Sequence, residues 1–147
     1  MKRVLLLLCV LVILTLPFSA CGGTPELTVA QLMADAGKYN GDVVVVSGFY
    51  FGGFEVMVLC EDLKYSGYAE NHMVPEGKYL WVEGGIPSEV HDALYIQSEM
   101  GPRERYGKIE VKGKFATGGG YGHLSAYDSQ ISPIEVKLLP WSPPHLD

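Results

Sequence analysis

The sequence predicts a mainly β domain, a small closed barrel of five strands with one short α-helix ahead of it. Three observations predict it. Short runs rich in Val, Ile, Phe and Tyr recur along the chain, and several alternate apolar and polar residues with the period of a strand. Gly-containing stretches separate these runs. Val-x-Gly also occurs three times within or beside them, at Val46–Gly48, Val82–Gly84 and Val111–Gly113. A glycine weakens a strand unless the chain must bend there, as the strands of a small closed barrel must.

The elements follow in chain order. Thr28 and Gln31 form a capping box, Leu27 and Leu32 a hydrophobic staple, and Gly37 a stop, so a short helix is expected over 28–36. In the next run Val43, Val45, Ser47, Phe49 and Phe51 share one face and Val44, Val46, Gly48 and Tyr50 the other. Both faces are largely apolar, which predicts a strand covered on both sides. Gly52-Gly53 reads as a hairpin turn and Phe54 to Cys60 as the returning strand. Residues 61–77 are polar and hold Gly67, Pro75 and Gly77, the composition of a long loop. Lys78 to Gly85 is a third strand, and a short helix is expected within Pro87 to Tyr95. Lys108 to Ala116 alternates cleanly, with Ile109, Val111, Gly113 and Phe115 inward and Glu110, Lys112 and Lys114 outward. Gly118 to His123 is a turn-rich break. The fifth strand, within Ser132 to Pro140, carries Ile134, Val136 and Leu138 on one face. The domain thus spans 28–139, and a proline-rich tail over 140–147 is expected to be extended and poorly packed.

This succession, from "KYNGDVVVVSGFYFGGFEVMVL" through "KYLWVEG" and "KIEVKGKF" to "SPIEVKLL", resembles the OB-fold domains of small exported bacterial proteins over residues 38–139. The resemblance implies a five-stranded OB-like barrel with a binding face on its second and third strands and their flanking loops. It implies no particular ligand.

The first twenty residues have a different grammar. Lys2 and Arg3 precede thirteen uncharged residues, Val4 to Leu16, and Pro17 breaks the apolar run. As a helix that run rises only about 20 Å, short of a hydrocarbon core of about 30 Å. It reads as an export signal over 1–20. The stretch Phe18-Ser19-Ala20-Cys21-Gly22 resembles the lipobox of bacterial lipoproteins, with Phe18 where an aliphatic residue is usual. That resemblance implies a diacylglyceryl group on Cys21, which becomes the first residue. Two acyl chains hold a protein stably where one holds it marginally. Residues 21–27 then form a tether, the bilayer is the first partner through acylated Cys21, and the expected location is the extracytoplasmic face of a cell membrane or outer membrane. Cys60 is left without a thiol partner in the mature chain and reads as a small buried hydrophobe.

Charge narrows the partners further. Without Lys2 and Arg3, nine of the eleven basic residues face seventeen acidic ones, a net charge of −8. Such a chain repels phosphate backbones, which disfavours nucleic acid. "GPRERYGK" (Gly101 to Lys108) has five residues between its glycines and Ile109 after its Lys, so it is not a phosphate-binding P-loop. There is no G-x-S-x-G, and no catalytic residue is assigned. Glu70, His72 and Glu76 in the acidic stretch are the candidate metal ligands, although a solvated acidic loop is the favoured account of them, and no cofactor is assigned. Tyr79, Trp81 and Tyr121 are the candidate ligand-binding rings, because Tyr and Trp on neighbouring strands make stacking platforms. Phe49, Phe51 and Phe115 are assigned to the interior. The function expected is that of an anchored binding or assembly module for an envelope protein, a glycan or a small ligand. A metal-assisted envelope enzyme using 61–77 and a single-strand nucleic acid binder are the alternatives.

Overall fold

The computed structural model describes residues 23–144; the signal, Cys21 and His145 lie outside these described residues. Seven strands form one sheet: β1 (Glu26–Thr28), β2 (Val43–Gly53), β3 (Val56–Tyr65), β4 (Met73–Val82), β5 (Tyr95–Gln97), β6 (Glu104–Tyr121) and β7 (Tyr127–Leu138). Two short helices accompany them, α1 (Val29–Ala34) and α2 (Ser88–Asp92). The strand order is β1-β2-β3-β4-β7-β6-β5, and β2 also pairs with β6. A path through β2, β3, β4, β7 and β6 therefore leads back to β2. Every step on it is antiparallel except β4 to β7, which is parallel and only two residues long, Trp81 opposite Gln130 and Val82 opposite Ile131.

The main core gathers Val44, Val46 and Tyr50 of β2, Leu59 of β3, Leu80 and Val82 of β4, and Ile109, Val111 and Phe115 of β6, the last three from the face predicted to point inward. Helix α1 adds Val29 and Leu32, which are buried completely or nearly so. Six residues do not make a stable helix alone. The capping box, Gln31 N–H to Thr28 Oγ1 at 3.2 Å and Thr28 N–H to Gln31 Oε1 at 2.8 Å, contributes about 1 kcal/mol. Burial of Val29 and Leu32 contributes about 1.5–3 kcal/mol each.

Seven strands replace the five expected. β1 and β5 have three residues each, too few for a period to show. β1 falls in what reads as the tether and runs parallel to Val45–Ser47 of β2. The stretch 61–77 is no long loop, because β3 continues to Tyr65 and β4 starts at Met73, leaving 66–72 as the connection. Pro75 is tolerated inside β4 because β7 pairs only with Trp81 and Val82, so this half of the strand has β3 as its one neighbour. The β2–β3 turn lies at Phe54-Glu55, not at Gly52-Gly53, with Glu55 in the left-handed region (φ 60°). Of the break expected over Gly118 to His123, Gly118–Tyr121 is the end of β6, and Gly122 and His123 open the connection to β7.

Two of the three Val-x-Gly glycines stand where strands crowd. A Cβ on Gly48 would lie 2.6 Å from Val29 Cγ2 and 2.8 Å from the Cys60 carbonyl oxygen; one on Gly113 would lie 2.6 Å from the Ser132 carbonyl oxygen. Gly84 is different: it follows β4 in a turn, with φ of 74°. The predicted face of the last strand holds only at Val136, which packs partly buried against the core. Lys112 pairs with Glu135 and Gly113 with Pro133, so Ile134 is the extra residue of a bulge and is 65% exposed. Leu138 is exposed too, and Ser129 and Ile131 are the buried residues of β7.

A second apolar cluster gathers Phe49, Phe51, Val58, Cys60, Leu63, Met73 and Tyr106. On β2 these are the residues that alternate with the core ones, which is why both faces of that strand are apolar. The tail packs on this cluster, against the expectation of a loose end. Leu139 N–H donates to Lys108 O at 2.9 Å, the Tyr95 hydroxyl donates to Trp141 O at 3.2 Å, and the Tyr65 hydroxyl donates to Pro144 O. The Trp141 ring stands edge-on to Phe49, Tyr95 and Tyr106, with centroids 5.2, 5.7 and 6.2 Å away.

Candidate functional site

The aromatic site forms where β4 meets β7. Tyr79 and Trp81, two apart on β4, project to one side. Tyr127, the first residue of β7, reaches both: its ring centroid is 5.9 Å from that of Tyr79 and 5.1 Å from that of Trp81. Val56, Val58 and Pro75 join Tyr79 and Tyr127 around an open cavity of about 230 Å³. Trp81 is buried, with its Nε1–H donating to Glu83 Oε2 at 2.9 Å. Its closeness is set by Gly122, where a Cβ would lie 2.5 Å from the indole. Trp81 thus backs the Tyr127 ring from outside the cavity lining, and Tyr79, half-exposed, is a wall of the cavity.

Two further apolar side chains stand in solvent on the turns that lead into Val56 and Tyr127, Phe54 (73% exposed) and Leu124 (86%). Phe54 is in the β2–β3 turn and Leu124 in the β6–β7 connection. A polar contact between the adjacent residues, His123 Nε2 and Glu55 Oε2 at 3.4 Å, joins these two tips. Leu124 is held with φ of 54°, a conformation that costs a bulky side chain about 1–2 kcal/mol. Together these side chains make an amphipathic surface for stacking and apolar contact.

Of the predicted rings, Tyr79 and Trp81 share this site and Tyr121 does not. Tyr121 folds back over Gly119, and Tyr127 takes its place. Both tyrosines follow the same glycine run, and they are chosen between by the parallel β4–β7 pairing, a long-range register that no local pattern contains. Phe49, Phe51 and Phe115 are interior as expected, but in two different clusters.

The predicted metal ligands do not converge. Glu70 is exposed. Glu76 pairs across the sheet with Lys64 at 3.3 Å, both about half-exposed, an interaction worth little. His72 is buried and points elsewhere, Nδ1 toward Ser66 Oγ at 2.9 Å and Nε2 toward Glu104 Oε2 at 3.2 Å. Gln97 completes that network, donating to Glu104 Oε2 and Met73 O at 2.7 Å each and accepting from Met73 N–H at 2.9 Å. It anchors β5 to the start of β4. Among the described residues no three His, Cys, Asp or Glu side chains are grouped to hold a metal ion.

Cys60 is a free, buried thiol whose Sγ lies 3.2 Å from Phe49 O and 3.1 Å from Asp62 O. Burial pushes its pKa up to about 12; a backbone hydrogen bond at Glu76 opposes this, and the Asp62 charge adds to it by less than that bond subtracts. The folded thiol thus keeps a proton that an unfolded one releases near about pH 8.5. Its contribution to stability is whole below that pH and is lost as pH rises toward 12, by up to about 1.4 kcal/mol per pH unit. Urea midpoints are therefore expected to fall from pH 9 to 11, and to fall less steeply in Cys60→Ala. Iodoacetamide is expected to label Cys60 at pH 8 only in denaturant. Rapid labelling of the folded chain would show a reactive thiol instead.

No protein-family model matches the chain, and no similar curated protein or solved structure was found.

Proposed function

We propose that this chain is an envelope lipoprotein, held at the extracytoplasmic face of a cell membrane or outer membrane by acylated Cys21. Its β domain is a five-stranded OB-like barrel that acts as a non-catalytic binding or assembly module. In favour of the barrel stands the pairing path that returns to β2 around a single core. The lipobox-like run before Cys21 and the uncharged stretch over 4–16 support the anchor. Among the described residues no helix is long and apolar enough to cross a membrane, and the lipid supplies the attachment in this reading.

The observation that carries the binding role is the open cavity walled by half-exposed Tyr79 and by Tyr127, with Phe54 and Leu124 exposed on the turns that lead into Val56 and Tyr127. Apolar groups left together in water mark a contact site. Leu124 is held there at a conformational cost, which fits a side chain kept for contact rather than for stability.

Expression with the native signal tests both halves. The wild type is expected in the membrane fraction, with a mature mass above that of the 21–147 polypeptide by its acyl groups; Cys21→Ala is expected to lose both. A photo-crosslinker at Leu124 is expected to capture an envelope component, and capture is expected to drop at least about tenfold in Tyr79→Ala/Tyr127→Ala. An unmodified Cys21 thiol would remove the anchor. Undiminished capture by the folded double variant would remove the binding face.

A further inference from the structure

A second cavity lies on the other side of the β2–β3 hairpin, where β3 turns Met57 away from Val56 and Val58. It is about 190 Å³ in volume and is lined by Tyr50, Gly52, His91, Arg103 and Arg105 among others. The chain has three arginines, and both of those within the described residues line this one cavity. This concentration of positive charge stands out on an acidic protein.

Each group is set for an anion. Arg105 is fixed before any ligand arrives: its side chain is only 15% exposed, and Nη1–H donates to the His91 carbonyl at 2.8 Å, at the end of α2. Arg103 has no carboxylate partner among the described residues, so its fork of donors is free. Tyr50 is 98% buried, yet its hydroxyl bonds to no described group. No sealed side-chain polar atom among the described residues lacks a partner, so this hydroxyl meets the cavity. Burial pushes the Tyr50 phenol up, which keeps it a donor at neutral pH. Gly52 lets the hydroxyl through: a Cβ there would lie 2.6 Å from Tyr50 Oη. The strand alternation turns Glu104 to the opposite side, against His72 and Gln97. One carboxylate does stand by, Asp92, 70% exposed, with Oδ1 3.5 Å from Arg105 Nη2 and from His91 Nδ1.

We propose that this cavity binds a phosphate group, as inorganic phosphate, a soluble phosphomonoester or the headgroup of a phosphomonoester lipid. Two guanidinium forks and a phenol offer donors in several directions, which suits the oxygens of a phosphate better than the two coplanar ones of a carboxylate. Asp92 is the internal competitor that the ligand displaces from Arg105.

The test uses the full chain in neutral detergent and reads phenylglyoxal modification of Arg103 by peptide mass spectrometry. Inorganic phosphate and glycerol phosphate are expected to protect Arg103, and acetate at the same ionic strength to protect it far less. Tyr50→Phe removes one charge-assisted hydrogen bond, and is expected to raise the half-protecting concentration about tenfold. Asp92→Asn is expected to lower it about threefold or more. Protection only after reconstitution into vesicles carrying phosphatidic acid, and not in phosphatidylcholine alone, supports the proposal and assigns the lipid as the source. Equal protection by acetate and phosphate, no protection under any of these conditions, or the same half-protecting concentration in both variants would overturn it. The aromatic face plays no part in any of these readings.

Discussion

Gly48→Val is expected to leave a chain with no cooperative unfolding transition. The new Cβ would lie 2.6 Å from a methyl of Val29 and 2.8 Å from the backbone oxygen of Cys60. Neither neighbour can yield cheaply. Val29 moves only if α1 lifts off the core that it seals, and Cys60 only if β3 leaves β2 beside the Phe49 pair. Overfilling a packed site costs about 1–3 kcal/mol even when side chains alone must shift. Here backbone must move and two more methyl groups must be placed, so the loss should exceed about 4 kcal/mol, a large part of the roughly 5–15 kcal/mol that stabilises a domain. Gly37→Ala is the control, since nothing lies within 4 Å of its Cβ position. Its urea midpoint should correspond to a change within about 0.5 kcal/mol. A Gly48→Val protein with a sharp transition near that of the wild type would show that α1 does not press on β2.

Trp141→Ala is expected to cost about 3 kcal/mol without disturbing the enclosed core. The indole meets three rings edge-on, and each such pair contributes about 0.5–1.5 kcal/mol beyond its buried area. Its removal also uncovers Phe49 and Tyr106, which are otherwise buried. The near-ultraviolet circular dichroism of the tyrosines should change, the far-ultraviolet spectrum should not, and Trp141→Phe should recover part of the loss. A urea midpoint displaced by less than about 0.5 kcal/mol would return the tail to the status of a loose end.

The difference between these two residues shows what local patterns contain. The pressure on Gly48 is foreshadowed by Val-x-Gly, because a missing side chain inside a β-branched run asks for a close neighbour. The role of Trp141 is not foreshadowed: a ring among three prolines reads as solvated chain until β5, itself three residues long, supplies Tyr95 beside it. The same distinction runs through the molecule. The inward face of β6, the two apolar faces of β2 and the capping box of α1 are legible because their partners are a few residues away or repeat with a fixed period. The bulge that expels Ile134 and the choice of Tyr127 over Tyr121 depend on pairings across the sheet, so periodicity extended along β7 points the wrong way. His72 misleads for a related reason. Acidic neighbours in sequence suggest a metal, whereas the carboxylate that reaches it, Glu104, is thirty-two positions away.

The two-residue ladder between β4 and β7 gives the domain a seam. Trp81, Val82, Gln130 and Ile131 hold together what ten β2–β6 pairings hold elsewhere. Breathing motions should therefore begin there, and amides along it should exchange with solvent long before those of the β2–β6 ladder. Tyr79 lies on one lip of that seam and Tyr127 on the other, so whatever stacks across both works as a clasp, slowing exchange at positions it never touches.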